Sequence, residues 1–206
     1  MSDQIIRDGD VDTAVIAEYE QSRRDLMRKG LVVGGAVIAA TSIPFFLKAR
    51  NAMAQADDDA AILEAAVGLE QMAVFAYTAA AKSGKLGKAS AVATLFAKQE
   101  QEHADGLIQA LESLGGKAPA KPTKVEDVDG LAEAAGGDAT DILEFAVDLE
   151  TSAVGAYYDA HGKLKAPELL STGASIMANE AQHLVVLRQA LKQNPSPDAF
   201  VTGGKG

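Results

Sequence analysis

ILEAAVGLEQMAVFAY, residues 62–77, returns 80 residues later as ILEFAVDLETSAVGAY, residues 142–157, with eleven of sixteen positions identical. The echo continues further on. KQEQEH (98–103) is matched by ANEAQH (178–183), and Leu107 with QAL (109–111) by Leu187 with QAL (189–191). The chain after residue 56 therefore reads as two copies of one unit. Abundant Ala and only 5% aromatic residues favour closely packed helices over a sheet. Four helices are predicted, over about 59–82, 88–114, 139–161 and 167–193. SGKLGK (83–88) and HGKLKAP (161–167) are short loops, so each copy is an antiparallel hairpin. Pro167 suits a first helical turn, and Asp141 with Glu144 reads as a capping pair. GKAPAKPTKVEDVDGLAEAAGGD (116–138) is long enough to cross the bundle, with one helical turn at 130–135.

Six polar residues recur at matched places. Glu70 and Glu150 sit among apolar neighbours in the first helix of each hairpin, and Glu100/His103 and Glu180/His183 form Glu-x-x-His pairs in the second. Residues i and i+3 share a helical face, so each pair can point into the bundle. Four buried carboxylates around one point repel one another unless they are protonated or neutralised. Two divalent cations would balance them, with the imidazoles as neutral donors. The chain has no Cys, so thiolate, iron–sulfur and Cys-type zinc sites are excluded and any metal is held by carboxylates and His.

A Glu from each of two helices plus a Glu-x-x-His from each of the other two, in this order, resembles the ferritin-like di-metal carboxylate superfamily, and the likeness covers residues 59–193. The ligand set is most similar to those of bacterioferritins and manganese catalases. The resemblance implies an all-α, ferritin-like four-helix bundle, built from two repeated hairpins joined by a long crossover. It implies bridging roles for Glu100 and Glu180, terminal roles for Glu70 and Glu150, and one metal each for His103 and His183. The implied cofactor is two iron ions, or alternatively two manganese ions. Tyr77 and Tyr157 each follow a ligand Glu by seven residues; in related proteins a Tyr at this spacing hydrogen-bonds near the metals and supplies an electron, the competing role being core packing. Gln101 stands where bacterioferritins carry a haem-binding Met, so no haem is expected. Ala153 replaces the extra Glu of rubrerythrins. His161, whose counterpart is Ala81, reads as a helix-terminal residue rather than a ligand, and Glu64 and Glu144 as first-turn charges.

The N-terminus reads as an address. SRRDLMRKG (22–30) carries Arg23 and Arg24, the apolar stretch LVVGGAVIAATSIPFFL follows, and AMA and AQA offer cleavage after Ala54 or Ala56. This resembles a twin-arginine export signal and favours a removed leader over a retained membrane anchor. The expected division is a signal at 1–56, the bundle at 57–194 and a flexible tail at 195–206, with a periplasmic destination. A formal charge of −10 argues against nucleic acid as a partner. Expected partners are metal ions, O2 or H2O2 and the twin-arginine translocation machinery, with a homodimer as an option. The expected activity is oxidation of Fe(II) or consumption of O2 or H2O2. The alternative is a non-catalytic iron- or manganese-binding module, or a stress- or desiccation-related one.

Overall fold

The computed structural model describes residues 6–7, 10–11, 50–53, 55–56 and 58–204. The twin-arginine run and its apolar stretch lie outside these residues. The chain divides into two units, Met1–Ala39 and Ala40–Gly206. In the first, β1 (Ile6–Arg7) pairs antiparallel with β2 (Asp10–Val11). The second is the helical bundle anticipated from the sequence: α1 (Asp59–Lys82), α2 (Ser90–Ser113), the short α3 (Leu131–Gly136), α4 (Ala139–His161) and α5 (Pro167–Ala190). α1 packs mainly on α2, and α4 on α5, so each repeat is one hairpin.

Local chemistry sets the boundaries. The Asp58 carboxylate accepts from the Ala61 amide at 2.8 Å and caps α1. At α4 the capping pair is Asp138 with Asp141, one turn before the expected Asp141 and Glu144. Asp138 accepts from the Thr140 amide, and Asp141 accepts from the Asp138 amide at 2.6 Å. The reason is positional: the helix starts at Ala139, so residue 138 is the cap and 141 the third helical residue. Pro167 stands in the first turn of α5. α5 stops earlier than anticipated. Lys192 adopts φ +58°, and the Gln193 amide donates back to the Arg188 carbonyl at 2.8 Å, closing the helix. The crossover is pinned where α3 ends, because Lys85 donates to the carbonyls of Ala135 and Gly136.

The core reflects the repeat. Ala66, Ala73, Ala76 and Ala80 of α1 are buried, and so are their counterparts Ala146, Ala153, Ala156 and Ala160 of α4. Such small residues let the two helices approach closely. Larger buried side chains, among them Ile62, Leu69, Leu149 and Leu187, supply the drive to pack; each contributes about 1.5–3 kcal/mol. α1 is long and apolar enough to cross a membrane by composition, but most of that stretch is buried in the bundle, as in a core helix.

Two segments outside α1–α5, the first a helical turn at 50–53, touch the bundle. Met53 is fully buried and lines one small cavity with Ile62, Leu63 and Leu107. Arg50 donates to Asp159 at 2.7 Å and to the Gly203 carbonyl at 2.9 Å. Gly203 lies against Gly155 of α4, where a Cβ on either glycine would collide. Among its described residues, to 204, the tail has no helix, and Gly203 packs on α4.

Candidate metal centre

α1, α2, α4 and α5 each send one glutamate to the centre of the bundle. Glu70, Glu100, Glu150 and Glu180 are at most 1% exposed. His103 and His183 join them, so all six residues anticipated from the sequence converge. Their ligand atoms form two sets: Glu70, Glu100, Glu180 and His103, and Glu100, Glu150, Glu180 and His183, each spanning no more than 4.8 Å. His161, the last residue of α4, belongs to neither set.

The distances show how the sets interlock. His103 Nδ1 lies 3.5 Å from Glu70 Oε2, 3.2 Å from Glu100 Oε2 and 3.1 Å from Glu180 Oε1. His183 Nδ1 lies 3.1 Å from each of Glu100 Oε1, Glu150 Oε1 and Glu180 Oε2. Glu100 and Glu180 thus give one oxygen to each imidazole, whereas Glu70 and Glu150 serve one side each. A single N–H cannot donate well to three oxygens. Glu100 Oε1, Glu150 Oε2 and both oxygens of Glu180 indeed have no hydrogen-bond partner of proper geometry. Buried carboxylate oxygens left this way are costly. The donor set fits a pair of divalent cations: two donors at right angles about 2.1 Å from one ion stand about 3 Å apart. One nitrogen with hard oxygens in each set is a donor combination for divalent metal ions.

Packing these six groups together also shifts their proton affinities. Burial alone would lower the imidazole pKa values. The surrounding carboxylates outweigh it and push both His103 and His183 up to about 12. Burial would raise Glu100, but the two imidazoles close beside it hold it down at about 2. Glu70 and Glu150 go the other way. Burial, reinforced by the charges of Glu180 and Glu100, raises both well above the usual carboxylate range.

The tyrosines reach the centre crosswise. Tyr77 of α1 donates to Glu150 Oε1 of α4, and Tyr157 of α4 donates to Glu70 Oε1 of α1. These reciprocal pairs mean that α1 and α4 run antiparallel. Burial first, then the adjacent carboxylates, raises both phenols well above their ordinary value, so they are proton donors. Spacing along one helix associates each Tyr with the Glu seven residues before it; the tertiary pairing is with the Glu of the other repeat.

Two further residues, which no sequence motif marks, shape the site. Gln99 Oε1 lies 2.9 Å from His183 Nε2 and holds that ring with Nδ1 toward the carboxylates. Its repeat counterpart, Asn179, is also an amide, and that shared amide is the one signal the sequence carries for it. Phe96 stacks on the His183 ring at 3.8 Å and meets Tyr77 edge-on at 5.4 Å. No local spacing points to Phe96, because its partners sit on other helices.

No curated protein and no solved structure matches the chain. The family model described as ferritin-like domain matches residues 58–193, the segment that carries the bundle and all six converging residues. With the repeat, the crossover and this match taken together, the chain belongs to the ferritin-like domain family.

Proposed function

We propose that the protein is an exported di-metal oxidoreductase that oxidises Fe(II) at the expense of O2 or H2O2, with manganese as the alternative metal. The supporting observation is the division of Glu100 and Glu180 between the two imidazoles, each carboxylate offering one oxygen to either side. When bound, two Fe(II) ions supply one electron each, so that one H2O2 takes up two protons and leaves as two waters. Glu100 and Glu180 would be shared by the two ions, Glu70 with His103 and Glu150 with His183 would hold one each, and Gln99 orients the His183 ring. Tyr77 and Tyr157 hold protons on phenol oxygens hydrogen-bonded to Glu150 and Glu70, within reach of the reacting region.

The test is anaerobic loading with Fe(II), followed by O2 or H2O2 and near-ultraviolet detection of Fe(III). Oxidation is expected to outpace that of free Fe(II) in the same buffer. No acceleration would leave a binding or stress-related module. Tyr77→Phe and Tyr157→Phe are expected to keep both metals, because neither phenol completes the two ligand sets. Oxidation in each should slow by about tenfold or more if the lost hydroxyl acts in proton or electron delivery. Wild-type rates in both would leave the tyrosines as packing residues.

Export by the twin-arginine route to the periplasm is part of the same proposal. It rests on the order of arginine pair, apolar stretch and small-x-small sites. Arg23→Lys with Arg24→Lys is expected to leave the full-length chain inside the cell, since Lys lacks the planar fork of Arg. Unchanged arrival in the periplasm would remove this route. Cleavage after Ala54 or Ala56 would detach Arg50 and Met53 from the bundle. Their burial and pairing favour, as a second reading, a leader that stays attached. The intact mass of the exported protein separates the two.

A further inference from the structure

The 80-residue repeat makes the two sides of the centre comparable position by position. Beside His103, a surface cleft of about 350 Å³ is walled by Gly106, Ser171, Thr172, Ser175 and Ile176. Its repeat-related place, beside His183, has Val186, Ala91, Val92, Leu95 and Phe96. A glycine is exchanged for valine, three hydroxyls for apolar groups, and isoleucine for the phenylalanine that stacks on the ring. A separate cavity of about 40 Å³ has Val92, Phe96 and Val186 among its walls, but His183 does not line it. Exposure follows the same division: the His103 side chain is 14% exposed and that of His183 2%. At the rim of the cleft Glu102 carries a negative charge, with Lys98 3.5 Å away, where the other side has neutral Gln182.

We infer that cations enter and leave the centre through the His103 mouth, and that the two metal positions therefore exchange at different rates. The inference rests on the two-metal reading. A hydrated divalent cation sheds water only where polar groups replace it. Ser171, Thr172, Ser175 and the edge of His103 offer such groups around the cleft. The His183 side offers valine, leucine and a phenyl ring. The ion held with His103 lies next to the mouth, while the ion held with His183 is reached past it. Glu102 adds a weak, salt-screened attraction at the rim.

Mn(II) is a suitable probe, because its free aquo ion has a strong electron paramagnetic resonance signal that bound pairs lose. The full chain, stripped of metal, is expected to take up two Mn(II) and to release them to EDTA in one fast and one slow phase. Gly106→Val with Ser175→Leu copies the closed side onto the open one. A Cβ at Gly106 meets nothing within 4 Å, and Ser175 is exposed, so the bundle accommodates both changes. The closed variant is expected to bind two Mn(II) at equilibrium, with uptake and release slowed by about tenfold or more. The converse variant, Leu95→Ser with Val186→Ser on the exposed face of the closed side, is expected to bring the two release phases together. A closed variant that loads and unloads at wild-type rates, with two Mn(II) bound, overturns the route but leaves the two-metal reading standing. Wild type that binds neither Mn(II) nor anaerobic Fe(II) overturns both. If the closed variant does not fold, the converse variant decides: two well-separated phases, unchanged from wild type, overturn the inference.

Discussion

Glu100→Ala is expected to leave the protein with less than one tightly held metal per chain, while His103→Ala retains about one. Glu100 Oε2 faces His103 and Glu100 Oε1 faces His183, so one truncation takes an oxygen from both ligand sets. His103 belongs only to the set that also contains Glu70. Loss of a ligand that orients metal at both positions should weaken each by more than about a hundredfold, beyond the usual effect of an outer-sphere residue. Metal content after exhaustive dialysis, measured by inductively coupled plasma mass spectrometry, is the direct readout. Thermal unfolding of the metal-free variants is the control that both chains still fold. Two metals retained by Glu100→Ala would mean that the ions sit elsewhere or that Glu100 does not bridge.

The metal-free protein is expected to lose stability with rising pH more steeply than the metal-loaded protein. In the metal-free bundle His103 and His183 have pKa values of about 12, against an ordinary value of 6.5. Between those limits the folded chain binds more protons than the unfolded one. A group whose folded pKa is raised contributes stability that is complete below the unfolded pKa and is lost as pH rises toward the folded value. Two such groups give a slope of up to about 2.7 kcal/mol per pH unit above pH 6.5. Glu70 and Glu150 act in the same direction, because their raised pKa values make the folded chain retain protons that the unfolded chain releases. The metal-free protein should thus melt at progressively lower temperature as pH rises from about 6 to about 9. Bound cations displace the same protons, so metal affinity should rise over that range and the loaded protein should lose less stability, or gain it. Thermal scans at several pH values, with and without excess Mn(II), test both signs. Parallel curves would show that the six residues do not exchange protons for metal.

Much of the site is legible in the amino-acid sequence. The 11-of-16 identity and the matched Glu-x-x-His pairs name the ligand candidates, because helical periodicity places i and i+3 on one face whatever the helix packs against. The four helix spans are legible for a similar reason: loops, caps and proline act within a few residues of themselves. The cap at α4 and the early end of α5 show the limit of that locality. A one-turn ambiguity among Asp138, Asp141 and Glu144 is settled only by where the backbone begins to coil, and Lys192 in a left-handed conformation is not announced by its residue type.

By itself the sequence determined the hairpin repeat, the composition of the ligand set and the faces on which its members lie. Only the tertiary structure decided which groups meet. Antiparallel packing of α1 against α4 crosses the tyrosines, so Tyr77 serves Glu150 and Tyr157 serves Glu70. Axial register between α2 and α5 divides Glu100 and Glu180 between the imidazoles. The same packing turns Phe96 onto His183 while leaving His103 beside an open cleft, although the two histidines occupy equivalent places in the repeat. The physical reason is common to all three. Periodicity along a helix fixes direction around its own axis, whereas contact between helices depends on their relative direction, register and distance, which the core as a whole sets.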